Sequence, residues 1–252
     1  MRKFGLLFVI LLMPSLSQSE EHALFTNVLQ QYVTSGKVHY KDLCKDGRLE
    51  EYIAQLKSAN PDSIADNKSR LAFWINAYNA YTLKAICARY PVKSINELHS
   101  GGLVLGTVFN TTVWDKDFVI IHQKLTTLNN IEHKIIRPVF KDPRIHFALV
   151  CAAKSCPPLR SEAYEGSKLE EQLDDQARIF LRDAQQNRFD AKQKKAYLSR
   201  ILDWYGGDFG KNKAELMLYL AQYLSADTAD AIRTDVKKWE VKHNDYDWSL
   251  NE

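Results

Sequence analysis

The chain has 252 residues, 45% hydrophobic and 26% charged, with 34 Lys and Arg against 31 Asp and Glu and a formal net charge of +3. This is globular composition, long enough to bury a core without a metal staple, and it excludes disorder. Two of the positive charges, Arg2 and Lys3, lie at the amino terminus. No long basic face remains, KQKK at 192–195 reads as a solvated turn, and nucleic acid is not an expected partner.

MRKFGLLFVILLMPSLSQSEE opens with a basic region, an apolar run from Phe4 to Met13, and then small residues. That order predicts a signal peptide over 1–19, with small-residue pairs at Ser15/Ser17 and Ser17/Ser19. The run is shorter than the roughly 20 apolar residues a membrane span needs. No later segment is apolar enough to cross a bilayer, so the mature chain, 20–252, is expected to be exported to the periplasm or beyond. Cys44, Cys87, Cys151 and Cys156 would then lie in an oxidising compartment, where disulfides persist. Two bridges are possible, in any of three pairings.

Leu24, Phe25, Val28, Leu29 and Tyr32 have helical spacing; Gly36 stops that helix and a strand is expected at Val38–Tyr40. DGRLEEYIAQLKSAN predicts a second helix, and a long third begins after Asp66 and ends before Pro91. Alternation and turn signals between Gly101 and Ile121 predict a hairpin. TTLNNIEHKIIRPVF predicts a short capped helix closed before Pro138, and RIHFALVCA, 144–152, a buried strand. A helix with Leu169, Leu173, Ala177, Phe180 and Leu181 on one stripe follows, then a strand pair around NRFDAKQKKAYLSRIL, two helices and an extended tail. Helices and strands alternate without a βαβ rhythm. The expected class is α+β: a single, mostly helical domain packed on a small, mainly antiparallel sheet.

Five stretches together resemble the family known as domain of unknown function 547: VHYKDL (38–43), RLAFWINAYNAYTLKAI (70–86), LNNIEHKIIR (128–137), HFALVCAAKSCPPL (146–159) and LSRILDWYGGDFG (198–210). YDWSLN at 246–251 fits as well. The resemblance spans nearly the whole mature chain. It implies a fold more than a chemistry: members are widespread, often exported in bacteria, and in eukaryotes sometimes fused to glutaredoxin-like modules.

Chemistry is sought where polar residues interrupt apolar elements. In FWINAYNA, Asn76 and Asn79 are three apart and share a helix face. They either tie the helix to loop backbone or, with Trp74, line a substrate pocket. Glu132, His133 and Arg137 fall on one helix, without the ligand spacing of a helical zinc site. Glu132 either pairs with a surface cation or, like His133, faces the strand that begins at His146. On that strand, His146 and Cys151 would point to opposite faces. Cys156 lies beyond it in a turn stiffened by Pro157 and Pro158, and could fold back to His146.

Three readings stay open for Cys156. It bridges to Cys151 in a short loop; it is a nucleophile with His146 as base; or both cysteines are buried and inert, or ligate a metal with His133 or His146. The leading expectation is a thiol-dependent enzyme for acyl transfer or hydrolysis on a small molecule or peptide. Glu132, His133 or Asn76 would orient His146, and Arg137 or Arg70 would contact an anion. Asp208 is read as a helix cap, Trp204 and Tyr205 as core anchors, and Tyr246 and Trp248 as packing or a pocket wall. No cofactor is expected, since phosphate-binding glycine loops are absent. The alternatives are a non-catalytic envelope domain with a Cys151–Cys156 disulfide, and thiol–disulfide exchange suggested by the glutaredoxin fusions.

Overall fold

A computed structural model describes residues 22–99 and 112–252. The expected leader, and the first part of the expected 101–121 hairpin, lie outside the described residues. Helix α1 (Ala23–Tyr32) buries Phe25, Val28, Leu29 and Tyr32. Strands β1 (Val33–Thr34) and β2 (Lys37–Val38) follow as a tight antiparallel hairpin. Gly36 turns it at φ 79°, and a Cβ there would meet Pro158 Cβ at 2.3 Å. Both backbone and space therefore demand glycine. The expected strand ends at Val38, because Tyr40 already begins a helical turn, Tyr40–Leu43.

Helix α2 (Gly47–Ser58) is capped by Asp46, which accepts from the Arg48 backbone N–H, and α3 (Asn67–Cys87) by Asp66, which accepts from that of Ser69. Every residue of α3 from Leu71 to Leu83 is buried, as expected of a central helix. A Cys44–Cys87 disulfide ties its far end to the start of α2.

A described hairpin begins at the end of the expected 101–121 range. Asp115 closes a 3-10 turn, and β3 (Val119–Ile121) pairs with β4 (Lys124–Thr126) through His122 and Gln123, at φ 49° and 60°. Two positive φ angles match the twist of a two-residue hairpin loop. The next helix, α4, runs over 128–140 behind a Thr127 cap. It does not stop before Pro138: its middle, Ile131–Ile136, is a π-helical turn, a wider winding often found at functional sites.

The expected strand at 144–152 is a correction. Ile145–Ala148 is a single helical turn, α5, and only Leu149 onward is extended. The cause is local. Asp142 accepts from the Arg144 backbone N–H, and the carbonyls of Pro143 and Arg144 take the N–H groups of His146 and Phe147. Asp-Pro-Arg therefore starts a helix that apolar content alone does not reveal.

Helix α6 (Leu169–Arg182) buries the expected stripe. Strands β5 (Arg188–Asp190) and β6 (Lys195–Leu198) pair antiparallel, and β7 (Glu240–His243) of the tail joins β6 in parallel. Between them lie the short helices α7 (Ile201–Trp204) and α8 (Gly206–Phe209), then α9 (Lys213–Leu220) and α10 (Ala226–Asp235). The fold is α+β and mostly helical, and the described strands form three small sheets instead of one.

Two apolar clusters form the core. One gathers on α1, α2 and α3; the other holds Phe180, Met217, Leu220, Ile232 and Trp239. The 145–150 segment joins them: Phe147 packs at a tilt against Phe180 and Phe209 in the second, while Ile145, Ala148 and Leu149 pack in the first. It is held to α3 by Asn79, whose amide donates to Ala148 O (3.0 Å) and accepts from Val150 N–H (3.0 Å). Asn76 does the same for Tyr164, at 2.8 and 2.9 Å. Asn76→Ala leaves a buried N–H and C=O unpaired, which should cost about 2–4 kcal/mol in denaturant unfolding; a loss below about 1 kcal/mol would contradict this role.

Candidate active site

A cleft of about 450 Å³ opens beside Cys151, with Tyr78, Glu132, Ile201, Trp204, Tyr205 and Tyr246 in its walls. Its lining draws on both apolar clusters. Cys151 arrives there because Asn79 fixes the chain just before it. Ala152 follows in the left-handed region at φ 64°, uncommon for a residue with a Cβ and a form of strain that gathers at functional sites. The turn lets the Ala153 N–H donate to Cys151 Sγ. Tyr246 Oη lies 3.1 Å from the same sulfur, and the Cys151 backbone N–H donates to Cys156 Sγ at 2.8 Å.

The two thiols diverge in acidity. The Cys156 thiol, with the Tyr246 hydroxyl and the Ala153 N–H, holds Cys151 below the ordinary thiol value. Burial pushes Cys156 well above it. Hydrogen bonds to the charged form favour that form, and desolvation opposes it. Cys151, the half-buried sulfur at the cleft wall, is therefore the more acidic of the two thiols.

Glu132 faces this thiol's cleft from the π-helical turn of α4 and is 5% exposed. Tyr78 donates to its Oε2 at 3.3 Å, and the Tyr205 hydroxyl also bonds it. Tyr205 is clamped in turn. His146 stacks on its ring at 4.0 Å, and the Arg137 guanidinium lies over it at 5.2 Å. Asp208 joins these two: it accepts from Arg137 Nε and Nη2 at 2.8 and 2.9 Å, and lies 2.7 Å from His146 Nε2. The Arg137 hydrogen bonds hold Asp208 down to about 2, and burial lowers His146.

The expected site residues are thus partly brought together. Glu132 reaches the cleft; His133 lies beside it, 3.8 Å from Glu132 and accepting from Arg137 Nη1 at 3.0 Å. His146 does not approach Cys156: its Nε2 is engaged by Asp208, and Cys156 is buried behind Cys151. The helical turn at 145–148 removes the strand geometry on which that pairing depended. Cys151 and Cys156 are free thiols, so of the three open readings the Cys151–Cys156 bridge is not formed, and the disulfide lies instead at Cys44–Cys87. Among the described residues no group of three or more His, Cys, Asp or Glu is placed to hold a metal ion.

Asn76 and Asn79 are spent on backbone, and Trp74 and Arg70 border a different cleft with Phe140. Asp208 is not the cap of α9; Asn212 is. Gly206 and Gly207 need no positive φ. Sequence reasoning left Tyr78 out of the site, gave Cys151 a bridging, inert or exchanging role but not a nucleophilic one, and gave Tyr205 and Trp204 to the core. Trp204 is 48% exposed, an anomaly for so large an apolar side chain, but exposure is not written in the sequence.

The family model described as "Protein of unknown function, DUF547" matches residues 61–181. Just under half of the chain is thus similar to this family. No curated protein and no solved structure matches the chain. The DUF547 segment carries α3, Glu132, His146 and both thiols; Tyr205, Asp208 and Tyr246, which complete the site, lie beyond it.

Iodoacetamide capture of Cys151, followed by mass spectrometry against pH, should titrate below the ordinary thiol value of about 8.5. Tyr246→Phe and Cys156→Ala each remove a donor to the thiolate and should move the midpoint up. A midpoint at or above the ordinary value would contradict the assignment.

Proposed function

We propose that this is a thiol-dependent enzyme acting outside the cytoplasm, with Cys151 in place of Cys156 as the nucleophile. The carrying observation is the Cys151 sulfur at the wall of a cleft, with three donors turned to it and its acidity raised. The apolar leader-like start and the Cys44–Cys87 bridge favour an exported site. No helix among the described residues is long and apolar enough to cross a membrane.

The chemistry that fits is acyl transfer or hydrolysis. The Cys151 thiolate attacks an acyl carbon and forms a thioester, and the leaving group departs with a proton from solvent. Glu132, held by two tyrosine hydroxyls, takes a proton from the water that then hydrolyses the thioester. His146, Arg137 and Asp208 do not line the cleft; they position Tyr205 and through it Glu132.

Incubation with p-nitrophenyl esters and acyl thioesters should give one acyl adduct at Cys151 by intact-mass and peptide analysis. Cys151→Ser should abolish the adduct and cut turnover on the order of 10³-fold or more. Glu132→Gln should keep the adduct and slow its loss by roughly 10²–10⁴-fold. No adduct on Cys151 across the series would overturn the reading.

A second reading, thiol–disulfide exchange, is favoured by one contact: the buried Cys156 thiol bonds the Cys151 sulfur and could resolve a mixed disulfide. Cys156→Ser separates the two. It should leave acylation of Cys151 in place, whereas exchange, started by Cys151 attacking glutathione disulfide and releasing one glutathione, would stall at the mixed disulfide.

A further inference from the structure

The walls of the Cys151 cleft are unusual in composition. Trp114 lines it beside the 3-10 turn that Asp115 closes, and Trp204, Tyr246 and Trp248 line it from α7 and the tail. The last three form one aromatic cluster, with ring centroids 4.4 to 5.7 Å apart. Asp115 and Glu132 add two carboxylates, and no Lys, Arg or His is among the described lining residues. Arg137, the cation bound to this network, borders a separate pocket with Asp208.

Aromatic faces carry negative potential and attract cations, with tryptophan the strongest. Two nearby carboxylates reinforce that sign. Their oxygens, however, are already engaged: Glu132 by Tyr78 and Tyr205, and Asp115 by Thr112 and by the Asn129 amide. They supply charge and few vacant acceptors. A primary ammonium brings three N–H donors that need acceptors, whereas a quaternary ammonium brings none. We infer that the cleft binds a quaternary, trimethylammonium-type group, and that the substrate of Cys151 is an acyl compound carrying such a cation. The volume, about 450 Å³, suits a ligand of that size. The substrate clause rests on the Cys151 reading above; binding of the cation does not.

The test uses the full chain, with Cys151→Ser so that binding is measured without chemistry. Tryptophan fluorescence or calorimetry is followed with choline, with its neutral isostere 3,3-dimethylbutan-1-ol, and with ethanolamine. Choline should bind at least tenfold more tightly than either. Trp204→Ala should weaken choline roughly tenfold, and Trp204→Phe less. Trp204 is half exposed, so its loss should not unfold the chain; Glu132→Gln gives an independent variant that should also weaken choline. Equal binding of the neutral isostere, tighter binding of ethanolamine, or no effect of Trp204→Ala would overturn the inference. Choline binding without any acyl adduct on Cys151 would leave the cation site standing and remove the enzymatic reading. An adduct without choline preference would do the reverse.

Discussion

Two carboxamides on one face of α3 hold the site in place. A primary amide is a short side chain that offers a donor and an acceptor side by side, as an edge strand does. Asn79 uses both on the backbone around Leu149, and Asn76 both on Tyr164. The helix thereby lends a strand-like edge to two loop segments that have none, and their polar groups stay paired in a dry interior. Cys151 owes its place at the cleft wall to this pairing. The chain leaves the Asn79 clamp at Val150, presents the thiol, and turns at once through Ala152.

Around that fixed point the buried charges follow a consistent logic. A carboxylate as enclosed as Glu132 needs donors, and two tyrosine hydroxyls provide them. Tyr205 can serve only if its ring is held, and the Arg137–Asp208–His146 cluster holds it from both α4 and α8. The ion pair of Arg137 with Asp208 is partly exposed and adds little to stability. Its consequence is geometric, since it links α4 of one apolar cluster to α8 beside the other. The cleft lies along that seam, where neither cluster closes over the sulfur. A thiol, a carboxylate and a wall of tryptophans meet there because the two cores meet there.

Much of the frame was legible in the residues. The stripes of α1, α2 and α6, the Asp46 and Asp66 caps and the strand pair at 188–198 follow from spacing and cap chemistry that act within a few residues. The 144–152 stretch was misread for an equally local reason: its apolar run resembles a strand, and the Asp-Pro-Arg start that makes it helical is a turn signal hidden at its edge. The partner of each thiol lay beyond such reasoning. Tyr246 is 95 positions from Cys151, and Asp208 is 62 from His146.

The sequence by itself determined most of the longer helices, the resemblance to the DUF547 family and the short list of polar residues from which a site could be built. It could do so because periodicity, capping and turn chemistry are written between near neighbours. Tertiary structure alone decided which sulfur is the more acidic. Acidity depends on who donates to a thiol and how much water it keeps, and both were set only when the tail folded over the loop that joins the two cores.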